Sequence, residues 1–402
     1  MNADLNHLLR ATSRSFYLTL RVLPRAVRPQ IGLAYLLART TDTIADTEIV
    51  PLEQRLAALA ALRARILSSR RREEADATDD VVPPPHVGGY TPLDFGALAQ
   101  QQGLPAERIL LERVEDSLAL LRTLSAEDLA LVRKVIDTIT GGQELDLMRF
   151  GDGINQLVKT PALTPARSPG ERENAPQPAA NPPPPNSSQR GNKEHPLLGE
   201  RAGVRAGLPT PITALQTDAE LDDYTYRVAG CVGEFWTKMC RAHIFPAAKL
   251  DDAQLLADGV RFGKGLQLVN ILRDLPRDLQ QGRCYIPMER LARVNLKPED
   301  LLRPESEKEF RLVYDELLDR AEAHLAAGWV YTNTIPQNQW RVRLACAWPI
   351  LIGVRTIQLL RSGNPLDPAQ RIKISRADVR GVLWRSAVRV PFPGAFRNLW
   401  RR

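Results

Sequence analysis

Two pairs of aspartates, each pair separated by three residues, are the groups in this chain best suited to chemistry. One pair is Asp274 and Asp278, within QLVNILRDLPRD. On a helix, Gln267, Asn270, Asp274 and Asp278 share one stripe about 80° wide. Arg273 lies beside that stripe, and Leu268, Val269, Ile271, Leu272 and Leu275 fall on the other side. Pro276 is a point at which such a helix could kink. The other pair is Asp42 and Asp46, within AYLLARTTDTIAD. Tyr35 and Arg39 fall in the same stripe, about 60° wide. A single DxxxD is weak, because a solvated helix face supplies the same pattern. Two of them, each flanked by polar side chains at helical spacing, point to a shared task. Mg²⁺ characteristically binds through one or two carboxylates together with substrate phosphates. Two facing acidic helices could therefore hold Mg²⁺ against a diphosphate.

Other stretches carry polar or small residues in suggestive places. Ser13 and Ser15 flank Arg14 in SRSF, offering hydroxyls and a cation to phosphate oxygens or an ordinary helix start. Gly141 and Gly142, in GGQELDL, each cost roughly 1 kcal/mol relative to Ala inside a helix. Close helix packing or the close approach of a bulky chain would explain them. Tyr224, Val228 and Cys231 line one face of a helix in YTYRVAGCVG, and Ala229, Gly230 and Gly233 keep the neighbouring face small. That face suits either close helix packing or the wall of a narrow apolar tunnel.

Taken together, SRSF, the two aspartate motifs, GGQELDL, YTYRVAGCVG and the GRCYIP run that follows Asp278 resemble the squalene/phytoene synthase family, in order, from about residue 10 to about 290. The resemblance implies an all-α fold of the isoprenoid synthase type I kind, a single large helical domain around a central cavity. It implies Mg²⁺ held by Asp42, Asp46, Asn270, Asp274 and Asp278. It places diphosphate contacts at Ser13, Arg14, Ser15, Tyr35, Arg39, Gln267, Asn270 and Arg273. Tyr224 matches the family's catalytic tyrosine, and the four motif aspartates share the catalytic work. Asp146 is a further polar residue of the family pattern. The implied reaction joins two prenyl diphosphates head to head, through a cyclopropylcarbinyl diphosphate. Hydride from NADPH would then give squalene, and proton loss a phytoene-like triene. YLLARTTDTIADT and ACAWPILIGVRT look more like squalene synthases, GRCYIP more like phytoene synthases. We favour squalene from farnesyl diphosphate, with phytoene or dehydrosqualene as the alternative.

Composition narrows the field. The 402 residues carry a formal net charge of +7 and are 44% hydrophobic, enough for a large core. Many basic residues are scattered along amphipathic helices as solvated faces, and no nucleic-acid motif accompanies them, so no nucleic-acid partner is expected. The four cysteines form no CxxC, and the five histidines no HExxH. A cytoplasmic protein with reduced thiols is expected. The N-terminus lacks a signal peptide's apolar run. The most apolar late run, residues 344–354, is shorter than the ~20 residues of a spanning helix, so no membrane anchor is expected. The Trp-, Phe- and Arg-bearing tail from Trp384 packs back on its own domain or touches the inner membrane surface peripherally.

The elements that must position these groups read as helices. Expected spans are 52–71, 105–121, 126–148, 251–279, 310–330, 340–360 and 372–388. The first aspartate helix ends near Thr47, and residues 73–92 and 283–287 read as loops. Residues 1–151 and 216–390 form one domain. Residues 152–215, rich in Pro, Asn, Gly and Ser, read as a disordered insertion, and 391–402 as a basic, aromatic tail. Two rival classes remain. A terpene cyclase or chain-elongating prenyltransferase would show a DDxxD cluster, which is absent from the sequence. A non-catalytic helical partner protein would have no use for intact aspartates in both motifs.

Overall fold

Helix-favouring runs of Leu, Ala and Arg dominate the chain, and the computed structural model is built from helices accordingly. It describes residues 3–13, 16–47, 49–69, 95–159, 211–370 and 372–401. In the N-terminal half, α1 (Ala3–Thr12), α2 (Phe16–Val22), α3 (Arg28–Ala45) and α4 (Leu52–Ser68) precede α5 (Gly96–Gln100), α6 (Pro105–Glu112) and α7 (Val114–Leu121). The long α8 (Ala126–Lys159) closes this half. After a two-residue strand β1 (Thr213–Ala214) come α9 (Asp218–Thr225), a π-helical turn (Tyr226–Gly230) and α10 (Cys231–His243). The second aspartate helix is α11 (Asp252–Gln280), followed by strand β2 (Arg283–Cys284), α12 (Met288–Ala292), α13 (Glu307–Thr334), α14 (Trp340–Ser362), α15 (Arg376–Arg389) and α16 (Pro393–Arg397).

Caps explain several of the starts. Thr217, Asp251 and Ser375 each accept a backbone N–H three residues on, satisfying an otherwise orphaned donor. Pro276 lies inside α11 without ending it. α11 is the hub and packs against α10, α13 and α14. Two apolar clusters result. One joins α1 to α8 with α10; the other joins α11, α13, α14 and the C-terminal helices. Val22 and Phe262 pack against both, so the two clusters are continuous.

Glycines set the closest crossing. A Cβ on Gly263 would lie 2.0 Å from the Ala229 carbonyl oxygen, and one on Gly233 would lie 1.9 Å from that of Gly259. The small face of YTYRVAGCVG is therefore spent on helix contact between α10 and α11. Gly142 likewise admits Arg227, whose Cβ would lie 2.9 Å from an added Cβ.

Several boundaries differ from the sequence reading. The expected 105–121 helix is broken at Arg113, where φ −107° and ψ 22° leave the helical region. α8 runs eleven residues beyond the expected end at 148. Residues 283–284 are a strand, paired in parallel with Thr213–Ala214. Leu215 beside it is fully buried, so packed structure begins before the expected boundary at 216. The Tyr226–Gly230 π-turn alters the helical period, so Tyr224, Val228 and Cys231 do not follow the single-face spacing expected for them. Residues 73–92 and most of the 152–215 segment lie outside the described residues.

α14 corrects the expectation about membrane-spanning length. Within the stretch Gln337–Ser362 the most apolar 18-residue window has a mean hydropathy of 1.3, so by length and composition the helix could cross a membrane. Counting only the charge-free run missed this, because single Arg, Thr and Gln residues interrupt the apolar pattern without ending the helix. Most of its apolar window, 61%, is buried inside the protein, against α2, α11, α13 and α15.

The tail packs back. Phe396 is fully buried and stacks on Trp329 at 5.3 Å, with Trp400 at 6.3 Å from the same ring. Trp384 and Phe392, by contrast, stand exposed.

Candidate active site

Both aspartate motifs sit at helix C-termini. Asp42 and Asp46 occupy the last turn and cap of α3. Asp274 and Asp278 lie in the last two turns of α11. Unpaired carbonyls make a helix C-terminus partially negative, so carboxylates are disfavoured there. The chain places four of them at two such ends, an arrangement suited to a cation.

The charges sense one another across the site. Burial, and then the Asp46 charge, push Asp42 up to about 6, against Arg39 and a hydrogen bond from Gln143. Its side chain is still 46% exposed, so it borders an open recess. Burial, then Asp274, push Asp278 up to about 7, with a further contribution from Asp146 and opposition from Arg283 and Arg277. Burial likewise raises Asp146, on α8, to about 6; Tyr285, Arg283 and Arg149 oppose, and Asp46 adds to the rise. Asp146 thus links the first motif electrostatically to the second.

An aromatic pair stands beside Asp146. Tyr285 donates from its hydroxyl to Asp146 Oδ2 at 2.8 Å. Its ring stacks on Tyr224 at 4.6 Å between centroids. Burial, then Asp146, hold the Tyr224 phenol well above its ordinary value, while hydrogen bonds with Tyr285 and Gln267 pull the other way. Both phenols therefore stay protonated at neutral pH and can orient groups by hydrogen bonding. Asp146 Oδ1 and Gln143 Oε1 are buried and without a hydrogen-bond partner. Two unmatched acceptors among crowded carboxylates leave room for a positive ligand.

The remaining expected residues divide. Gln267 joins the site through Tyr224. Asn270 is exposed on α11 between Gln267 and Asp274. Arg273 is drawn onto its neighbour, donating to Asp274 from Nε at 2.9 Å and Nη2 at 2.6 Å. Arg39 pairs with Glu107 and lies 3.9 Å from Asp42. Tyr35 donates to the Thr12 carbonyl at 3.2 Å, so its phenol ties α3 to the end of α1. Ser13 is buried and its hydroxyl donates to the Leu9 carbonyl, a partner within its own helix turn. Arg14 and Ser15 lie outside the described residues.

The sequence reading gave no role to Gln143 or Tyr285. Both stood in stretches already singled out, GGQELDL and GRCYIP. Arg55 carried no signal. It is 2% exposed and donates from Nη1 to the Ala45 carbonyl at 2.8 Å, steadying the end of α3.

The oxygen donors present fit a hard divalent cation. Among the described residues no three His, Cys, Asp or Glu side chains close a metal shell together. A cation held by one or two of these carboxylates would keep places for water and phosphate oxygens, as Mg²⁺ requires.

Comparison with known proteins covers most of the chain. The family model described as squalene/phytoene synthase matches residues 9–147 and 202–378, most of the chain, and passes over the Pro-rich segment between them. A presqualene diphosphate synthase of Sinorhizobium fredii is 24% identical over 389 residues, 96% of this chain and 97% of that protein. A 15-cis-phytoene synthase of a Paracoccus species is 31% identical over 195 residues, covering 45% of this chain and 58% of that protein. Several other curated relatives are matched over a third of their length or less. Among solved structures, TcSQS with a bound ligand is similar at a TM-score of 0.63 and 17% identity, over 95% of this chain and 85% of that one.

Proposed function

The chain belongs to the squalene/phytoene synthase family, and we propose that it condenses two farnesyl diphosphates head to head, through presqualene diphosphate, to squalene. What supports this reading is that the charge of Asp146, beside the Tyr224–Tyr285 pair, is felt from both aspartate motifs. Asp42, Asp46, Asp274 and Asp278, with Asn270, would hold Mg²⁺. When bound, Mg²⁺ supplies charge that stabilises diphosphate as a leaving group. Arg39 is placed beside Asp42 to add a charge-assisted contact to phosphate oxygens. Arg273 can do the same once a cation draws Asp274 away. The neutral phenol of Tyr224 can orient the substrate or face a developing carbocation with its ring. Gln267 and Tyr285 fix that phenol's direction.

A second reading has support from the end-to-end likeness to a presqualene diphosphate synthase. The chain would then stop after the first condensation and release the cyclopropylcarbinyl diphosphate.

One experiment separates these outcomes. The protein is incubated with farnesyl diphosphate and Mg²⁺, with and without NADPH, and products are identified by mass. Squalene appearing only with NADPH is expected. Presqualene diphosphate accumulating under both conditions selects the second reading. A dehydrosqualene made without NADPH, or product from geranylgeranyl diphosphate alone, moves the chain to the carotenoid-forming branch. Absence of diphosphate release from either substrate overturns the enzyme reading.

A further inference from the structure

The positive charge of this chain is concentrated at one place. Residues 371–402 carry nine Lys and Arg against a single Asp, a net +8. The whole chain is +7, so the preceding 370 residues are close to neutral at −1. Basic residues are scattered along the helices as expected, but their excess over acidic ones lies in this segment. A field of one sign, confined to one end, selects a partner of the opposite sign.

The structure gives this segment a fixed inner face and an open outer one. On α15, Val382 and Ser386 are buried. Trp348 on α14 donates from Nε1 to Ser386 Oγ at 2.9 Å, pinning the helix down. The outer face carries Ala377, Arg380, Trp384 and Val388 within about 80° of arc. Trp384 is 72% exposed, Val388 49%, and Phe392, one turn further on, 63%. Arg376 and Arg385 are exposed on the flanks. Asp378, the one acidic residue, is engaged by Ser375 at 2.7 Å. Gln337 donates to the Pro391 carbonyl at 3.1 Å, which fixes the chain beside Phe392.

Large apolar side chains left in water, on a rigid helix and flanked by arginines, are the signature of an interfacial helix. Trp and Phe enter the boundary between headgroups and acyl chains, while arginines contact lipid phosphates. Nucleic acid would also meet the charge, but Val388 and its alanine neighbours offer it nothing. We propose that the outer face of α15, with Phe392, docks this protein on the surface of an anionic lipid bilayer. The proposal does not rest on the reaction assigned to the active site, which lies on other helices.

The test is sedimentation of the full chain with vesicles of phosphatidylcholine alone, or with about one third phosphatidylglycerol. Retention is expected on the anionic vesicles only, falling at about 0.5 M NaCl, where charges are screened. Trp384→Ala with Phe392→Ala should weaken retention about tenfold or more, and Arg380→Glu with Arg385→Glu should abolish it. Exposed Lys308→Glu should leave it unchanged. All of these positions are on the surface, so folding is checked by an unaltered unfolding midpoint. Equal retention on both vesicle types, or wild-type retention of either double variant, overturns the proposal. So does capture of an RNA duplex with no capture of vesicles, or a dimer in light scattering that the Trp384/Phe392 variant loses while vesicle binding is absent.

Discussion

Replacing Asp278 by Asn should stabilise the protein while destroying its activity. Asp278 sits near the negative end of α11, beside Asp274 and within the field of Asp146. Its carboxyl is raised from 3.8 to about 7. A carboxyl held above its unfolded value is harder to ionise in the folded state. The folded protein is therefore free of this strain below about pH 4, gains it as pH rises, and carries all of it above about pH 7. Three pH units correspond to about 4 kcal/mol at most. The recess opens to solvent, and water and counterions screen the pair, so about 1–2 kcal/mol is the working figure at pH 8. For a chain of 402 residues that is a rise in Tm of roughly 1–3 °C. The assay is thermal unfolding of wild type and Asp278→Asn, without divalent cations, at pH 8 and pH 5. The variant should be the more stable at pH 8, and the gap should fall to about half or less at pH 5. With Mg²⁺ and inorganic diphosphate, the wild type should gain Tm and the variant should not. Turnover should drop by about two orders of magnitude or more. A variant no more stable than wild type at pH 8, or a gap that does not shrink at pH 5, would refute the charge-repulsion argument. Near wild-type turnover would remove Asp278 from the cation site.

Other parts of the site and scaffold give further expectations. Asp42→Asn should behave like Asp278→Asn in turnover, with a smaller Tm gain because its side chain is 46% exposed; steady-state kinetics and melting check both. Tyr285→Phe removes the hydroxyl from Asp146, leaving a buried carboxylate short of a partner. Urea unfolding should show a loss of about 1–3 kcal/mol, with kcat reduced more than KM is changed. Gly263→Ala forces a methyl against the Ala229 carbonyl, and should cost about 1–3 kcal/mol or more in the same assay. Deleting residues 163–208 should leave kcat/KM within about twofold, since the family pattern passes over all but the last seven of these residues; a folded deletion protein that is inactive would show that the segment serves catalysis.

The fold was legible because its signals are long and local. Apolar residues at helical spacing identified α8, α11, α13 and α14. The ends were less legible. α8 continues past the expected end at Met148 to Lys159. The two-residue strands were invisible: two residues have no period, and Arg283–Cys284 pairs only because residues 213–214 arrive beside it. The DxxxD spacing was readable as a stripe. The partner of each side chain was not, since it is set by neighbouring helices. Arg273 turns to Asp274, Arg39 to Glu107, and Tyr35 to a carbonyl of α1.

The same reasoning explains why the least comfortable residues are the informative ones. Ordinary stability would place basic residues, not aspartates, in the last turns of α3 and α11. It would give Asp146 Oδ1 a donor. It would not bury an arginine, Arg55, against the end of α3. Each departure costs folding free energy, and all of them gather at one place in the molecule. Burial of Arg55 steadies the very turn that presents Asp42 and Asp46, and the Tyr285 hydroxyl holds the carboxylate that lies between the two motifs. A cation bound there would relieve the repulsion on both helices at once. Binding of metal and diphosphate should therefore stiffen α3 and α11 together, a coupling that amide hydrogen exchange on the two C-terminal turns would read directly. Protection gained on one helix alone would mean that the two motifs hold separate ligands.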